Sequence, residues 1–150
     1  MKLIDTLLGL LVVVLLAGCA SVPMTSEPLD AEGKQFVAVP GKANIYVYRG
    51  SGLGTAVLFE AILDGRVAGS LAPNTYLLLS VSPGQHMLIV KSDENSQQQK
   101  IVAEAGKQYF FKVSPDLGWI RARVLLQPAD EQEGRRGVSG TKRAEATTYE

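Results

Sequence analysis

The chain has 150 residues, with 15 Lys or Arg against 15 Asp or Glu, so its formal net charge is zero. This balance gives no basic excess to attract nucleic acid and no acidic block that would favour disorder. The single cysteine, Cys19, excludes a disulfide framework and a cysteine-based metal cluster. We therefore expect no nucleic-acid partner, no metal and no cofactor.

The first element is an apolar run from Leu7 to Leu16, broken only by Gly9 and preceded by Lys2. The run has ten residues, whereas a transmembrane helix needs about 20. A charged start, a short apolar run and small residues before a cut are typical of a secretory signal peptide. The sequence therefore predicts a signal peptide over residues 1–18, which leaves a length suited to one domain.

The sequence Leu16-Ala17-Gly18-Cys19 resembles the lipobox of bacterial lipoproteins. In that family the chain is cut before the cysteine, here between Gly18 and Cys19, and the thiol receives a diacylglyceryl group. The resemblance implies that Cys19 is lipidated and that its acyl chains anchor the protein to a membrane. The residue after the cysteine is Ala20 and not Asp, and by resemblance to enterobacterial sorting rules this implies the periplasmic face of the outer membrane, with the inner membrane less favoured. The alternative is an ordinary cleaved signal peptide followed by a free cysteine.

Residues 19–41 follow, and their prolines among Ser, Thr, Asp and Glu predict a mostly solvated tether. About 20 residues reach roughly 65 Å when fully extended. The apolar residues of segment 36–39 are the exception, since they could dock on the domain as an added edge strand.

From Ala43 onward apolar residues alternate with a period of two, which is typical of half-buried strands. The predicted strands are 43–49, 57–63, 66–70, 75–82, 85–91, 100–105, 108–113 and 119–126. Asp64-Gly65 is a strong hairpin signal, because a type I′ turn needs positive φ at both central positions. Short strands with turns at close intervals predict an all-β fold, a small antiparallel β-sandwich over residues 42–127.

The final segment, 128–150, carries no strand pattern. Acidic residues before Arg135 and Arg136 predict a short charged helix over 128–136. Residues 137–150 lack an apolar pattern and are predicted to fray.

Three stretches, Ile62–Gly65, Val81–Val90 and Gly106–Phe111, resemble a family of bacterial proteins, many of them lipoproteins. That family is grouped as a domain of unknown function (2846-type). The same region also resembles the surface-layer PEGA modules, which form small transthyretin-like β-sandwiches. The likeness covers about 43–126 and implies a fold and an envelope location. It brings no catalytic residues.

His86 is the only histidine, and together with Ser80 or Ser82 and Asp64 or Asp93 it could suggest a Ser-His-Asp hydrolase. No nucleophile elbow is present, so a structural histidine is favoured and we do not expect an enzyme. The glycines of 50–54 lack the spacing of a phosphate-binding loop, which favours a plain hairpin loop.

Aromatic residues form the last candidate site. Tyr46, Tyr48 and Tyr76 could line a ligand platform, but core packing or cross-strand pairing is favoured. Trp119, Arg121 and Arg123 share one face by alternation, and burying two arginines unpaired would be costly. We expect an outward face suited to an anionic glycan or a protein.

These features predict a lipid-anchored envelope protein that serves as a binding or scaffolding module. Its expected partners are the membrane and an envelope protein. The alternative is a glycan- or peptidoglycan-binding lipoprotein that uses the face of Trp119, Arg121 and Arg123, and a hydrolase is less favoured.

Overall fold

Nine strands form two packed sheets in the computed structural model, which describes residues 21–52, 57–117 and 122–147. The strands are β1 (Ala43–Arg49), β2 (Phe59–Leu63), β3 (Arg66–Leu71), β4 (Thr75–Val81), β5 (Gly84–Lys91), β6 (Ser96–Ala103), β7 (Gln108–Leu117), β8 (Ala122–Ala129) and β9 (Lys142–Arg143). The helices are α1 (Glu27–Gly33) and α2 (Glu131–Ser139). The prediction of an all-β sandwich is confirmed.

The first sheet has the order β8-β7-β1-β4-β9 and the second has the order β3-β2-β5-β6. Most pairs are antiparallel, but β1 pairs with β7 and β4 pairs with β9 in parallel. The antiparallel prediction did not include these two pairs. The β1–β7 pair arises because the chain crosses to the second sheet at Pro83-Gly84 and returns to the first at Gly106-Lys107. The β4–β9 pair forms after α2, when the chain returns to the free edge of β4. No local turn signal indicates which strand the chain joins in either case.

Apolar side chains that alternate inward from both sheets build the main core. The first sheet contributes Ile45, Val47, Leu77, Leu79, Val81, Phe111, Val113, Val124 and Leu126, and the second contributes Phe59, Ala61, Leu63, Ala68, Leu71, Leu88, Val90, Ile101 and Ala103. Burying a large apolar side chain stabilises a fold by about 1.5–3 kcal/mol. The faces predicted for Leu77, Leu79 and Val81 are therefore confirmed.

Strand β1 is buried at all seven positions, so both of its faces are covered. Its outward residues, Tyr46 and Tyr48, form a second buried cluster with Tyr76 and Phe110. The rings of Tyr46 and Phe110 stack with centroids 5.0 Å apart. The prediction that these tyrosines pack in the core is confirmed. Because their rings lie on the outer side of the first sheet, other parts of the chain must pack over that side.

Helix α2 supplies part of this cover. Asp130 caps its start by accepting a hydrogen bond from the Glu133 N–H at 2.8 Å. The predicted helix at 128–136 is thus present, although it begins and ends three residues later. The fraying predicted for 137–150 is wrong for the part described, because Val138 and Ala144 are fully buried and β9 joins the sheet.

Helix α1 covers the neighbouring part of the sheet and lies within the predicted tether. Met24 bridges Ala144, and the Thr25 N–H donates to the Arg143 carbonyl at 3.0 Å. The chain from residue 22 onward is therefore part of the packed domain. Segment 36–39 forms no strand; Phe36 instead packs on Tyr46 with ring centroids 5.4 Å apart. A seven-residue helix depends on tertiary packing, so its own sequence gives little signal.

Several predictions fall outside the described residues: the signal peptide with Gly18 and Cys19, part of the loop at 50–54, and Trp119 with Arg121. Within the described part, neither helix is long and apolar enough to cross a membrane.

The close approach of α2 to the sheet gives a stability prediction. A β-carbon at Gly134 would lie 2.2 Å from Cγ of Phe110, so Gly134→Ala must push the helix outward. We expect a loss of about 1–3 kcal/mol in the free energy of unfolding, measured by urea denaturation. Gly140→Ala is the matched control, since its nearest neighbouring atom would lie 3.7 Å away. Equal stability of the two variants would contradict the packing described.

Candidate functional site

The turn after β2 organises the first candidate site. Asp64 and Gly65 have φ values of 50° and 81°, which confirms the predicted turn with positive φ at both positions. The Asp64 carboxylate accepts a hydrogen bond from the Met87 N–H at 2.8 Å and lies 2.6 Å from Nδ1 of His86. The turn is thereby fastened to the start of β5.

The second ring nitrogen of His86, Nε2, lies 2.8 Å from the carbonyl oxygen of Ser82. Both ring nitrogens therefore face acceptors, an arrangement that only the doubly protonated imidazolium satisfies. Partial burial lowers the pKa of His86, but the hydrogen bonds to Asp64 and Ser82 outweigh it and raise that pKa above its usual value. Burial likewise raises the pKa of Asp64, yet His86 and the Met87 N–H bring it below its usual value.

The same geometry bears on the hydrolase alternative. The Ser82 hydroxyl accepts a hydrogen bond from the Lys42 ammonium at 3.1 Å, while His86 Nε2 is bonded to the backbone oxygen of Ser82 and not to its hydroxyl. A general base needs a free ring nitrogen facing the nucleophile. The described contacts favour a structural His86 that clamps the β4–β5 crossing. A cavity of about 290 Å³ lies beside it, lined by Lys42, Arg66 and His86 among others.

Arg49 is a buried cation at the end of β1. Its guanidinium donates to the carbonyls of Val57 at 2.5 Å and Leu71 at 3.3 Å, and lies 4.5 Å from the ring centroid of Phe59. Burial lowers its pKa. Arg49 therefore holds the two ends of the glycine-containing loop together. The predicted hairpin is wrong here, because β1 and β2 belong to different sheets and the loop crosses between them.

A groove on the outer side of the first sheet, between α1 and β4, is the second candidate site. It has a volume of about 460 Å³ and is lined by Thr25, Ser26, Leu29, Leu78, Ser80, Arg143, Glu145, Ala146 and Thr147. We call it the β4 groove. Val37 and Val39 line a smaller adjoining cavity that shares Leu78 and Ser80, and Val37 is 73% exposed.

Asp30 in α1 fixes one wall of the β4 groove. Its carboxylate accepts hydrogen bonds from Lys34 Nζ at 2.8 Å and from the Arg143 N–H at 3.0 Å. Burial raises the pKa of Asp30, but Lys34, Tyr76 and the Arg143 N–H together hold it below its usual range. The Arg143 guanidinium returns a hydrogen bond to the Leu29 carbonyl at 2.9 Å. Helix α1 and β9 are therefore held together from both sides.

The floor of the β4 groove is the edge of a sheet. Tyr76 accepts from the Ala144 N–H, so its backbone faces away from β1. Since backbone direction alternates along a strand, Leu78 and Ser80 face the same way. Strand β9 pairs only with Thr75 and Tyr76. Within the described residues, no strand covers the N–H and C=O groups of Leu78 and Ser80 on this side.

Of the predicted ligand face, Arg123 is exposed on β8, and Trp119 and Arg121 lie outside the described residues. The face therefore stays a prediction, as does lipidation of Cys19. The described chain holds no group of three or more His, Cys, Asp or Glu side chains arranged to bind a metal. Sequence reasoning missed the β4 groove, for which the only local signal is the Leu78 and Ser80 face of a strand whose Leu77 and Leu79 face is core.

The clamp at the β4–β5 crossing predicts a pH-dependent stability. Because the pKa of His86 is raised in the folded protein, its stabilising contribution is fully present at pH values below its ordinary pKa of 6.5. That contribution is lost as the pH rises through the raised pKa. Because the pKa of Asp64 is lowered, its stabilising contribution is present at pH values above its ordinary pKa of 3.8 and is lost as the pH falls through the lowered pKa. Wild type should exceed His86→Gln by about 1–2 kcal/mol near pH 5.5 and by less near pH 8.5, measured by urea denaturation.

Gln85→Ala is the control for this comparison, since it alters an exposed neighbour of His86. A stability difference between wild type and His86→Gln that is the same at both pH values would contradict a protonated clamp.

Comparison with known proteins places the chain in a family. The model of the family "Protein of unknown function (DUF2846)" matches residues 40–125. An uncharacterized protein of Haemophilus influenzae (strain ATCC 51907 / DSM 11121 / KW20 / Rd) is 30% identical over 129 residues, which cover 85% of this chain and 77% of that protein. No solved structure matches the chain. The match to the family model, over most of the residues that form the sandwich, shows that the chain belongs to the DUF2846 family.

Proposed function

We propose that this protein is a lipid-anchored envelope module that binds an extended segment of a partner protein along the open edge of β4. Its site would be the periplasmic face of the outer membrane, with the inner membrane less favoured. The observation that carries the binding mode is the uncovered backbone of Leu78 and Ser80 on the floor of the β4 groove. The lipobox at Leu16–Cys19 supports the anchor.

Strand addition uses backbone groups for affinity and alternate side-chain pockets for specificity. The N–H and C=O groups of Leu78 and Ser80 would pair with the added strand. Leu29 and Val37 are exposed apolar groups beside the groove, and Arg143 adds a cation at its wall. These features suit a segment that alternates apolar and polar or acidic residues.

A membrane anchor strengthens the proposal, because confinement to one surface raises the effective concentration of module and partner. A modest affinity from a short added strand would then suffice. The glycan-binding alternative keeps the support of an exposed Arg123. The hydrolase alternative has no such support, because both ring nitrogens of His86 face hydrogen-bond acceptors and neither faces a nucleophile.

Anchoring is tested at the cysteine. Cys19→Ser removes the thiol that would receive the lipid, so we expect loss of labelled fatty acid and accumulation of uncleaved precursor. The readouts are incorporation of labelled fatty acid and the mass of the protein in cells. Ser21→Ala is the control and should be labelled like wild type. Labelling that persists in Cys19→Ser would refute the assigned position.

Strand addition is tested with a photo-crosslinking residue at Thr147, which is exposed and lines the β4 groove. Ser80→Pro removes the N–H that faces the groove while leaving the β1 pairing intact, and should abolish the crosslinked adduct in cells. Ser80→Val keeps that N–H and should retain the adduct. Circular dichroism checks that both variants fold. An adduct that is insensitive to the proline, or equally lost with valine, would contradict the binding mode.

A further inference from the structure

We infer that the domain rests directly on the bilayer, with the end of the sandwich that carries the β3–β4 turn against the phospholipid headgroups. This inference rests on the lipid anchoring of Cys19 proposed above. The domain would then be held at a fixed position on the membrane, whereas a long tether would let it reach far from the bilayer. Three features of the described residues carry it: the reach of the chain, the fastening of its first residues and the surface where it emerges.

The reach of the chain is short. Only Ala20 separates Cys19 from Ser21, the first residue described. Two residue steps span at most about 7 Å, whereas a free segment of some 20 residues would span roughly 65 Å. The lipid-bearing cysteine is thus confined close to the surface from which Ser21 emerges.

The residues after Ser21 cannot extend as a flexible tether unless they lose their contacts with the folded domain. Val22 packs against the main core, and the Pro23 carbonyl accepts from the Glu145 N–H at 2.9 Å. Both the N–H and the hydroxyl of Thr25 donate to the Arg143 carbonyl, at 3.0 and 3.2 Å. Freeing this segment would give up these hydrogen bonds and the buried contact of Val22.

The point of emergence lies at one end of the strands. Ser21, Val22 and Met24 line a cavity of about 420 Å³ together with the β3–β4 turn at 72–75 and with Lys142. The Asn74 N–H donates to the Gly50 carbonyl at 3.3 Å, which brings the β1–β2 connection to the same end. This end, between β3 and β9, is the seat.

The seat has the chemistry of a membrane interface. Met24 lines this cavity and is 41% exposed. Leu58, next to the pair of Phe59 and Leu71 at the same end of the strands, is 40% exposed, and Lys142 adds an exposed cation. Exposed apolar groups beside a cation suit the boundary between acyl chains and anionic headgroups. Asp93 and Glu94 lie at the same end but across the sandwich beside β8, where the Asn95 side chain bonds the Val124 carbonyl. The corner nearest the anchor is therefore the one that meets lipid.

Seating also orients the binding edge. Strand β4 runs from the seat at Thr75 outward to Val81, a rise of about 20 Å at roughly 3.3 Å per residue. The β4 groove would then face sideways along the membrane, so a partner would be met beside the module rather than above it.

The test uses full-length lipidated protein in vesicles of phosphatidylethanolamine and phosphatidylglycerol. Acylation blocks Cys19, so a single introduced cysteine can carry a fluorophore. Ser51→Cys places it on the exposed β1–β2 connection at the seat without removing Lys142, and Glu104→Cys places it on the exposed β6–β7 turn at the far end. Quenching by nitroxide-bearing headgroup lipids is measured for both. Strong quenching at 51 and none at 104 is expected.

A spacer provides the second arm. Inserting about 16 Gly and Ser residues between Ala20 and Ser21 adds an average reach of roughly 22 Å, and should lower the quenching at 51 to the level at 104. Co-flotation with vesicles reports anchoring separately. Flotation with equal quenching at both sites would overturn the seat while leaving the anchor intact. Strong quenching at 51 despite the spacer would show that the short tether does not hold the domain at the membrane. Failure to float would instead refute the anchor, and with it the seat that rests on it.

Discussion

Burial of β1 on both faces is the constraint on which the rest of the structure depends. Ile45 and Val47 face the second sheet, while Tyr46 and Tyr48 face outward into their own cluster. An aromatic outer face left in water would forgo the hydrophobic stabilisation that these large rings can supply. The first sheet therefore needs an outer layer, and the chain provides it with α1, α2 and the segments around them.

The same outer layer gathers the two ends of the described chain. Asp30 binds Lys34 and the Arg143 N–H, and the Arg143 side chain reaches back to α1. The Tyr76 hydroxyl donates to the Asp30 carbonyl at 3.2 Å, which ties both to the sheet. Because β9 is held here and then turns away, the rest of the β4 edge stays uncovered. The fastening that completes the fold thus also creates the β4 groove.

Local patterns in the sequence were enough to predict β1 to β8 and the main core, but not β9. Alternation placed Leu77 and Leu79 inward, and the demands of a type I′ turn identified Asp64-Gly65. Non-local features were not accessible in this way. The parallel pairing of β1 with β7 depends on where the chain goes after it crosses between sheets. Helix α1 is stabilised by partners more than 100 residues away, such as Arg143, so residues 21–41 look solvated when read alone.

The candidate sites likewise include a local feature that the sequence predicts and a non-local feature that it does not. The sequence alone singled out His86 and favoured a structural role for it, and the two acceptors around its ring support that role. The β4 groove could not be predicted, because the sequence of β4 does not show whether another strand covers its edge. That depends on how far β9 extends along it. The proposed anchor depends on a local motif, whereas the seat depends on contacts that close the chain on itself.

The first described residues belong to the folded domain. Amide hydrogen exchange of the full-length protein is the sharpest test of this, at Thr25 and Arg143, whose N–H groups donate to the Arg143 carbonyl and the Asp30 carboxylate. Both amides should be protected well above the amides of an unstructured chain, and nearly as well as those in the core strands. Exchange of both at the rate of an unfolded peptide would contradict it.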